Sequence, residues 1–238
     1  IISDMMSTNR AIRSRPRFLP QPELKLAKSE RTRAAILDGA LKFLWEHPFR
    51  EMTVNRLMAK LPVSRPTFYQ YFHDLHELME CLLDDLREDI MAGAVPWFNG
   101  TGEVTGLLRQ SLEALVRTGY EKSPILKAVA DAAPNDERLE TAWFEFLSHF
   151  DEAVAARIEE DQRQRLISEL DAAAIARALN RLDAYSLIEA FGQHPRKKPG
   201  ATLGAIERIW ISTLYDWRRR DGKTPLIRRS DELTAASE

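Results

Sequence analysis

An all-α fold is predicted for this chain of 238 residues, and three observations predict it. Apolar residues recur at steps of three and four from Ser29 onward. No stretch alternates convincingly in the manner of a strand. Prolines and glycines break the chain into segments of helical length. The composition is that of a folded chain, 44% hydrophobic and 29% charged, long enough for one large domain or two small ones.

The first helix is read from Ile36, Leu37, Ala40, Leu41 and Leu44, with Arg31, Arg33, Asp38 and Lys42 between them. Pro48 ends it. Thr53 caps a short second helix carrying Val54, Leu57 and Leu61, and Pro62 stops it. Ser64 caps a third that runs to about Phe72. Asp74 starts a long fourth, "DLHELMECLLDDLREDIMAG". Helical spacing then recurs over 104–120, 123–133, 136–162, 171–191 and 201–217. Breaks are expected at Pro96 to Gly102, which places Trp97 and Phe98 in a loop, and at Ser123–Pro124, Pro134 and "GQHPRKKPG" (192–200). Residues 1–28 read as a basic flexible arm in which Pro16, Pro20 and Pro22 forbid a continuous helix. Residues 29–73 form a head, 74–217 a helical body, and 218–238 a charged, frayed tail.

Charge is unevenly placed. The formal net charge is -2, yet residues 1–72 hold 13 Lys+Arg against 6 Asp+Glu, and the rest of the chain holds 21 against 30. A basic head on an acidic body suits a polyanionic partner. Cys81 is the single cysteine, so no intramolecular disulfide can form, which fits a reducing compartment. No apolar run approaches a membrane span, and no apolar stretch follows the N-terminal arginines as in a secretory signal. A cytoplasmic protein is expected.

Two short helices, a tight turn and a third helix opened by Ser-Arg-Pro make a helix-turn-helix candidate. "VSRPTFYQYF" (63–72) is its centre. A first-turn proline is tolerated because N–H groups there lack intrahelical partners. Phe68 and Phe72, four apart, pack inward on helix one. Thr67 and Tyr71 form another such pair on a different face, with Arg65 and Tyr69 beside them. Hydroxyls and a guanidinium can bond phosphate oxygens and base edges. For Tyr69 and Tyr71, core packing and outward reach both stay open. The expected DNA-binding set is Thr53, Asn55, Ser64, Arg65, Pro66, Thr67, Tyr69 and Tyr71.

The stretch "MTVNRLMAKLPVSRPTFYQYFHDLHEL" (52–78) resembles the signature of TetR-type bacterial transcriptional regulators, through Thr53, Val54, Leu57, Val63, Ser64, Thr67, Phe68, Tyr69, Phe72 and Leu78. The resemblance is specific over roughly 29–80. "ALNRLDAYSLIEAFG…IERIWISTLYDW" is similar to the EthR-like branch. The chain departs from the family twice. Leu61–Pro62 stands where Ala-Gly is common, and proline cannot supply a positive φ. Leu75 stands where a phosphate-holding lysine is usual, which implies one fewer phosphate contact per subunit, replaced by His73, His76 or the arm.

The resemblance implies a homodimer that binds a double-stranded operator and responds to a small-molecule effector, with no cofactor. It places Asn180, Asp183 and Trp210 among the ligand contacts, with Asp183 where a neutral amide is more usual. An aromatic stripe at helical spacing is more often core than pocket, but polar groups inside an apolar set favour a pocket. The expected ligand-binding set is Trp97, Leu112, Val116, Trp143, Phe144, Leu147, Asn180, Asp183, Leu187 and Trp210. Ile175, Ala178, Leu179, Leu182, Ile206, Ile209 and Leu214 on the last two helices suit either a four-helix dimer interface or the subunit interior. A metal-binding sensor built on His73, His76 and Cys81 is the rival reading, with Glu77 and Glu80 at helical spacing. A protein-interaction module without specific DNA binding is another. An enzyme is not expected, since no P-loop, GxGxxG, nucleophile elbow or HExxH occurs.

Overall fold

A computed structural model describes the backbone of residues 22–215 and of Leu226–Ile227, and the side chains from Lys28 to Tyr215. Among these residues eight α-helices follow one another: α1 (Pro22–Glu46), α2 (Val54–Met58), α3 (Arg65–Phe68), α4 (Leu75–Asn99), α5 (Val104–Ala132), α6 (Glu137–Arg163), α7 (Ala172–Phe191) and α8 (Pro199–Leu214). A two-residue antiparallel pair joins β1 (Gly102–Glu103) to β2 (Leu226–Ile227), with Gly102 opposite Ile227. Gly102 has φ +130°, a conformation that L side chains rarely adopt. The arm up to residue 21 and most of the tail lie outside the described residues.

Several helix starts follow from local chemistry. Thr53 Oγ1 accepts the Arg56 N–H at 3.1 Å, Asp74 the Glu77 N–H at 2.8 Å, Asp136 the Leu139 N–H at 3.2 Å and Asp171 the Ala174 N–H at 2.9 Å. Ser64 stands at the N-cap of α3 without capping it; its hydroxyl pairs with Thr67 Oγ1 at 2.8 Å. Helix α1 starts at Pro22 rather than Ser29, because a proline at the first helical position loses no intrahelical bond. Helix α3 stops at Phe68, and turns carry the chain on, with Phe72 N–H bonded to Phe68 C=O at 3.0 Å.

Two expected breaks do not occur. Helix α4 runs through Pro96, so Trp97 and Phe98 lie in its last turn and not in a loop. Ser111 of α5 bonds the backbone on both sides of Pro96, its Oγ accepting the Trp97 N–H at 3.1 Å and donating to Ala94 C=O at 3.3 Å. Helix α5 runs through Pro124. Proline at that place deprives the Tyr120 carbonyl of its i+4 donor. Arg196, from the α7–α8 loop, supplies one, Nη1 donating to Tyr120 O at 2.8 Å.

The head is closed by Ile36, Ala40 and Phe43 of α1, Leu57 of α2, and Phe68 and Phe72, all buried in a cluster that continues into Leu78 and Met79 of α4. The α2–α3 turn needs no positive φ: among the described residues Arg165 is the one non-glycine that has it. Pro62 is therefore compatible with the turn. Leu61 finds room because a Cβ on Gly39 would come within 2.7 Å of its Cδ2, so the leucine lies over the bare Cα of α1. Leu75 packs against the core.

In the body, α5 is central and packs on α4, α6, α7 and α8. Two polar clasps brace the junction of head and body, one at the start of α4 and one at the end of α1. Arg138 of α6 pairs with Glu80 at 2.6 Å and with Asp74 at 2.8 Å, and Asp136 meets His76 Nε2 at 2.7 Å, at the start of α4. On the other side the Arg196 guanidinium lies 3.8 Å from the Tyr120 ring centroid and 4.9 Å from that of Trp45, at the end of α1.

Candidate nucleic-acid interface and buried cavity

The helix-turn-helix presents Thr53, Asn55, Ser64, Arg65, Pro66 and Tyr69 to solvent, while Thr67 and Tyr71 are half-buried. The two tyrosines divide. Tyr69 is 49% exposed, whereas Tyr71 packs against the core. The Arg65 guanidinium lies 5.7 Å from the Tyr69 ring centroid, so charge and ring share one outward face. Two nearby cations are already engaged: Arg56 donates to Glu51 C=O at 2.8 Å, and Lys60 meets Glu46 at 2.5 Å. The His76 ring is taken by Asp136, while the His73 side chain is 91% exposed. Of the two histidines, His73 has the outward ring, its Nδ1 3.8 Å from Asp74. Burial would raise the Asp136 carboxyl; hydrogen bonds from His76 and the helix backbone outweigh it and hold the group below the ordinary range.

Among the described residues no group of three or more His, Cys, Asp or Glu side chains is arranged to hold a metal ion. Of the His73, His76 and Cys81 read as a possible sensor, His76 is bonded to Asp136 and His73 lies beside Asp74. Burial pushes the Cys81 thiol up, against the pull of Arg33.

A cavity of about 80 Å³ opens between α4, α5, α6, α7 and α8, inside a wider space of about 700 Å³ that includes open solvent. Trp97, Leu112, Leu147, Asn180, Asp183, Leu187 and Trp210 line it, as expected from the sequence. Three expected residues do not. Val116 is buried elsewhere in the core, Trp143 stacks on the outer side of Phe146 at 5.7 Å, and Phe144 is 66% exposed. Trp143, Phe144 and Leu147 share one helix, but it is turned so that Phe146, Leu147 and Phe150 line the cavity. Phe146, Phe150, Phe98, Ile90 and Ala94 are lining residues that the sequence reading missed. For Phe98 and Ala94 the signal was hidden by the supposed break at Pro96.

The polar content of the cavity is small. Asp183 accepts the Trp210 indole N–H at 3.0 Å and 3.1 Å through its two oxygens. Burial pushes its carboxyl up to about 8, with the indole N–H pulling weakly the other way. Asn180 turns its Nδ2 to Asp151 at 2.9 Å, and Arg181 pairs with the same carboxylate at 2.6 Å. Behind Trp97 lies a buried network. Its indole donates to Tyr215 at 2.9 Å, the Tyr215 hydroxyl donates to Asp161 at 2.6 Å, and Arg157 sits 2.9 Å from Asp161 and donates to Trp97 C=O at 2.5 Å. Burial raises the Asp161 carboxyl, partly opposed by Arg157; burial and Asp161 push the Tyr215 phenol up. This network holds the ring of Trp97 as a fixed wall.

A short helix-turn-helix head on a helical body with an internal apolar cavity is the architecture of a DNA-binding transcriptional regulator. The family models agree. Residues 36–80 match that of the bacterial regulatory proteins, tetR family, and residues 108–216 that of the C-terminal domain of the transcriptional regulator EthR. The HTH-type transcriptional regulator EthR of Mycobacterium tuberculosis is 24% identical over 189 residues, covering 78% of this chain and 88% of that protein. Among solved structures, a TetR-family regulator from Syntrophomonas wolfei aligns with TM-score 0.66 at 14% identity, covering 77% of this chain and 95% of that one. One from Rhodococcus sp. aligns with TM-score 0.65 at 18% identity, covering 77% and 98%. The chain belongs to the TetR family of DNA-binding transcriptional regulators. Within it, the chain is EthR-like.

Proposed function

We propose that this regulator is a homodimeric repressor, acting in the cytoplasm, that is released from a palindromic operator by a small, largely apolar molecule held in the cavity. The observation that carries this reading is the shared helix. Helix α4 begins just after the reading helix, and its last turns contribute Ile90, Ala94, Trp97 and Phe98 to the cavity wall. A ligand that displaces this wall moves the head, provided it binds the moved form more tightly. A coupling of about 1–3 kcal/mol is typical of such systems.

Arg65, Tyr69, Thr67 and Ser64 supply the base and phosphate contacts, with Thr53, Asn55, Pro66 and Tyr71 completing the surface. Ala178, Tyr185 and Ile209 form the outward face of α7 and α8, whereas Leu179, Ile206 and Leu214 are spent inside the subunit. Pairing that outward face with a second copy gives the two-fold symmetry a palindrome requires, its half-sites roughly 34 Å or more apart.

Selection from a randomised duplex library at two salt concentrations, followed by anisotropy on the enriched sequence, tests the reading. An enriched palindrome with steep salt dependence is expected. Arg65→Ala should weaken binding and lower the salt slope by about one unit per subunit without changing the melting temperature. Phe68→Ala should instead unfold the head, at a cost of about 3–5 kcal/mol. No enrichment at either salt would leave a helical protein-interaction module in place of a repressor.

A further inference from the structure

We infer that the cavity takes an effector bearing a positively charged nitrogen, its charge set against Asp183 and its apolar body among the surrounding rings. The inference rests on the cavity being the effector site. It starts from an imbalance. Asp183 is the one titratable side chain among the cavity's lining residues, and it is buried. Its two oxygens share a single donor, the Trp210 indole. A carboxylate has about four acceptor positions, so most of its capacity is unused.

Among the described residues no cation pairs with it. Three cations on the packed elements are held by other carboxylates: Arg181 by Asp151 between α6 and α7, Arg157 by Asp161 on α6, and Arg109 by Glu207 between α5 and α8. His149 on α6 is exposed beside Phe150. A lone buried carboxylate is costly, and one with a counter-charge is far less so. In the resting cavity burial keeps the group protonated up to about pH 8. A ligand cation reverses that preference.

The rest of the lining suits the same chemistry. Trp97 and Trp210 meet edge to face at 5.5 Å and Phe146 and Phe150 at 5.1 Å, and Trp97 and Phe98 lie tilted at 5.2 Å. Ring faces attract cations, more strongly when water is excluded. An acid ringed by aromatic side chains therefore offers both ionic and cation–π stabilisation. Proton balance is simple: when a quaternary ammonium binds below pH about 8, Asp183 ionises and its proton leaves to solvent.

The test uses the full chain and a matched pair of probes, a phenylalkyl-trimethylammonium and its tert-butyl carbon isostere. Calorimetry in buffers of different ionisation enthalpy reads both affinity and protons released. The cation should bind the wild type about tenfold or more tightly than the isostere, releasing a proton near neutral pH. Asp183→Asn keeps an acceptor for Trp210; it should retain the isostere, lose the preference and release no proton. Equal affinity of the two probes for the wild type, or a preference that survives in Asp183→Asn, overturns the inference and leaves the cavity as effector site. If the isostere binds yet saturating amounts do not release operator, the effector-site reading fails instead. Failure of both probes to bind overturns both.

Discussion

Burial lifts the Asp183 carboxyl to about 8, and that has a thermodynamic cost even without ligand. In the unfolded chain the group ionises in the ordinary carboxylate range. Between that range and about 8, the unfolded state binds fewer protons than the folded one, so stability falls as pH rises. Thermal melts over this window should show wild-type stability declining, with a flatter profile for Asp183→Asn. Above pH about 8 the variant should be the more stable. The two tyrosines of the reading helix show what a single residue reveals in sequence. Tyr69 and Tyr71 carry the same side chain two positions apart. Which one faces out is decided by where α3 stops, at Phe68, and by the turn that follows. Neither is written in the tyrosines themselves.

Helices were legible where their causes are local. The caps at Thr53 and Asp74, and the apolar period of α1, are nearest-neighbour chemistry and were readable in order, whereas Ser64 was expected to cap α3 and does not. The misplaced breaks at Pro96 and Pro124 have distant remedies. Ser111 lies on the next helix, and Arg196 is 76 residues from the carbonyl it satisfies. Local propensity correctly marks a missing donor but cannot see the distant groups that hold the backbone there. Ser111→Ala tests the first remedy. It leaves the Trp97 N–H without its side-chain acceptor in a buried setting, which should cost about 1–3 kcal/mol in denaturant unfolding. Because Trp97 and Ala94 line the cavity, the same variant should loosen effector binding while leaving the isolated reading face chemically unchanged. The candidate site was legible to a similar degree. Asp183, Asn180 and Trp210 were identified, while the rotation of α6 that favours Phe146 over Phe144 depends on packing against α7 and was not.

At the scale of the molecule, α4 is held at both ends. Its start is clasped by Arg138 and Asp136, and its end by Ser111 and the Arg157–Asp161–Tyr215 network. The head is held a second time by Arg196, stacked between Trp45 and Tyr120. Arg196→Ala removes the donor to the Tyr120 carbonyl and the stack together. It should lower stability by about 1–3 kcal/mol and weaken operator affinity, whereas Arg196→Lys should recover only part of each because it lacks the planar fork. Equal operator affinity for Arg196→Ala and wild type would exclude this clasp from head positioning. The placement of Arg196 also bears on how the protein is made. Chains leave the ribosome N-terminus first, and early segments begin to fold before later ones exist. Trp45 emerges long before the loop that braces it. A nascent head can thus complete its own small core while still lacking the fixed orientation that the finished regulator gives it, and a newly synthesised chain becomes fully braced only when its last helices have been translated.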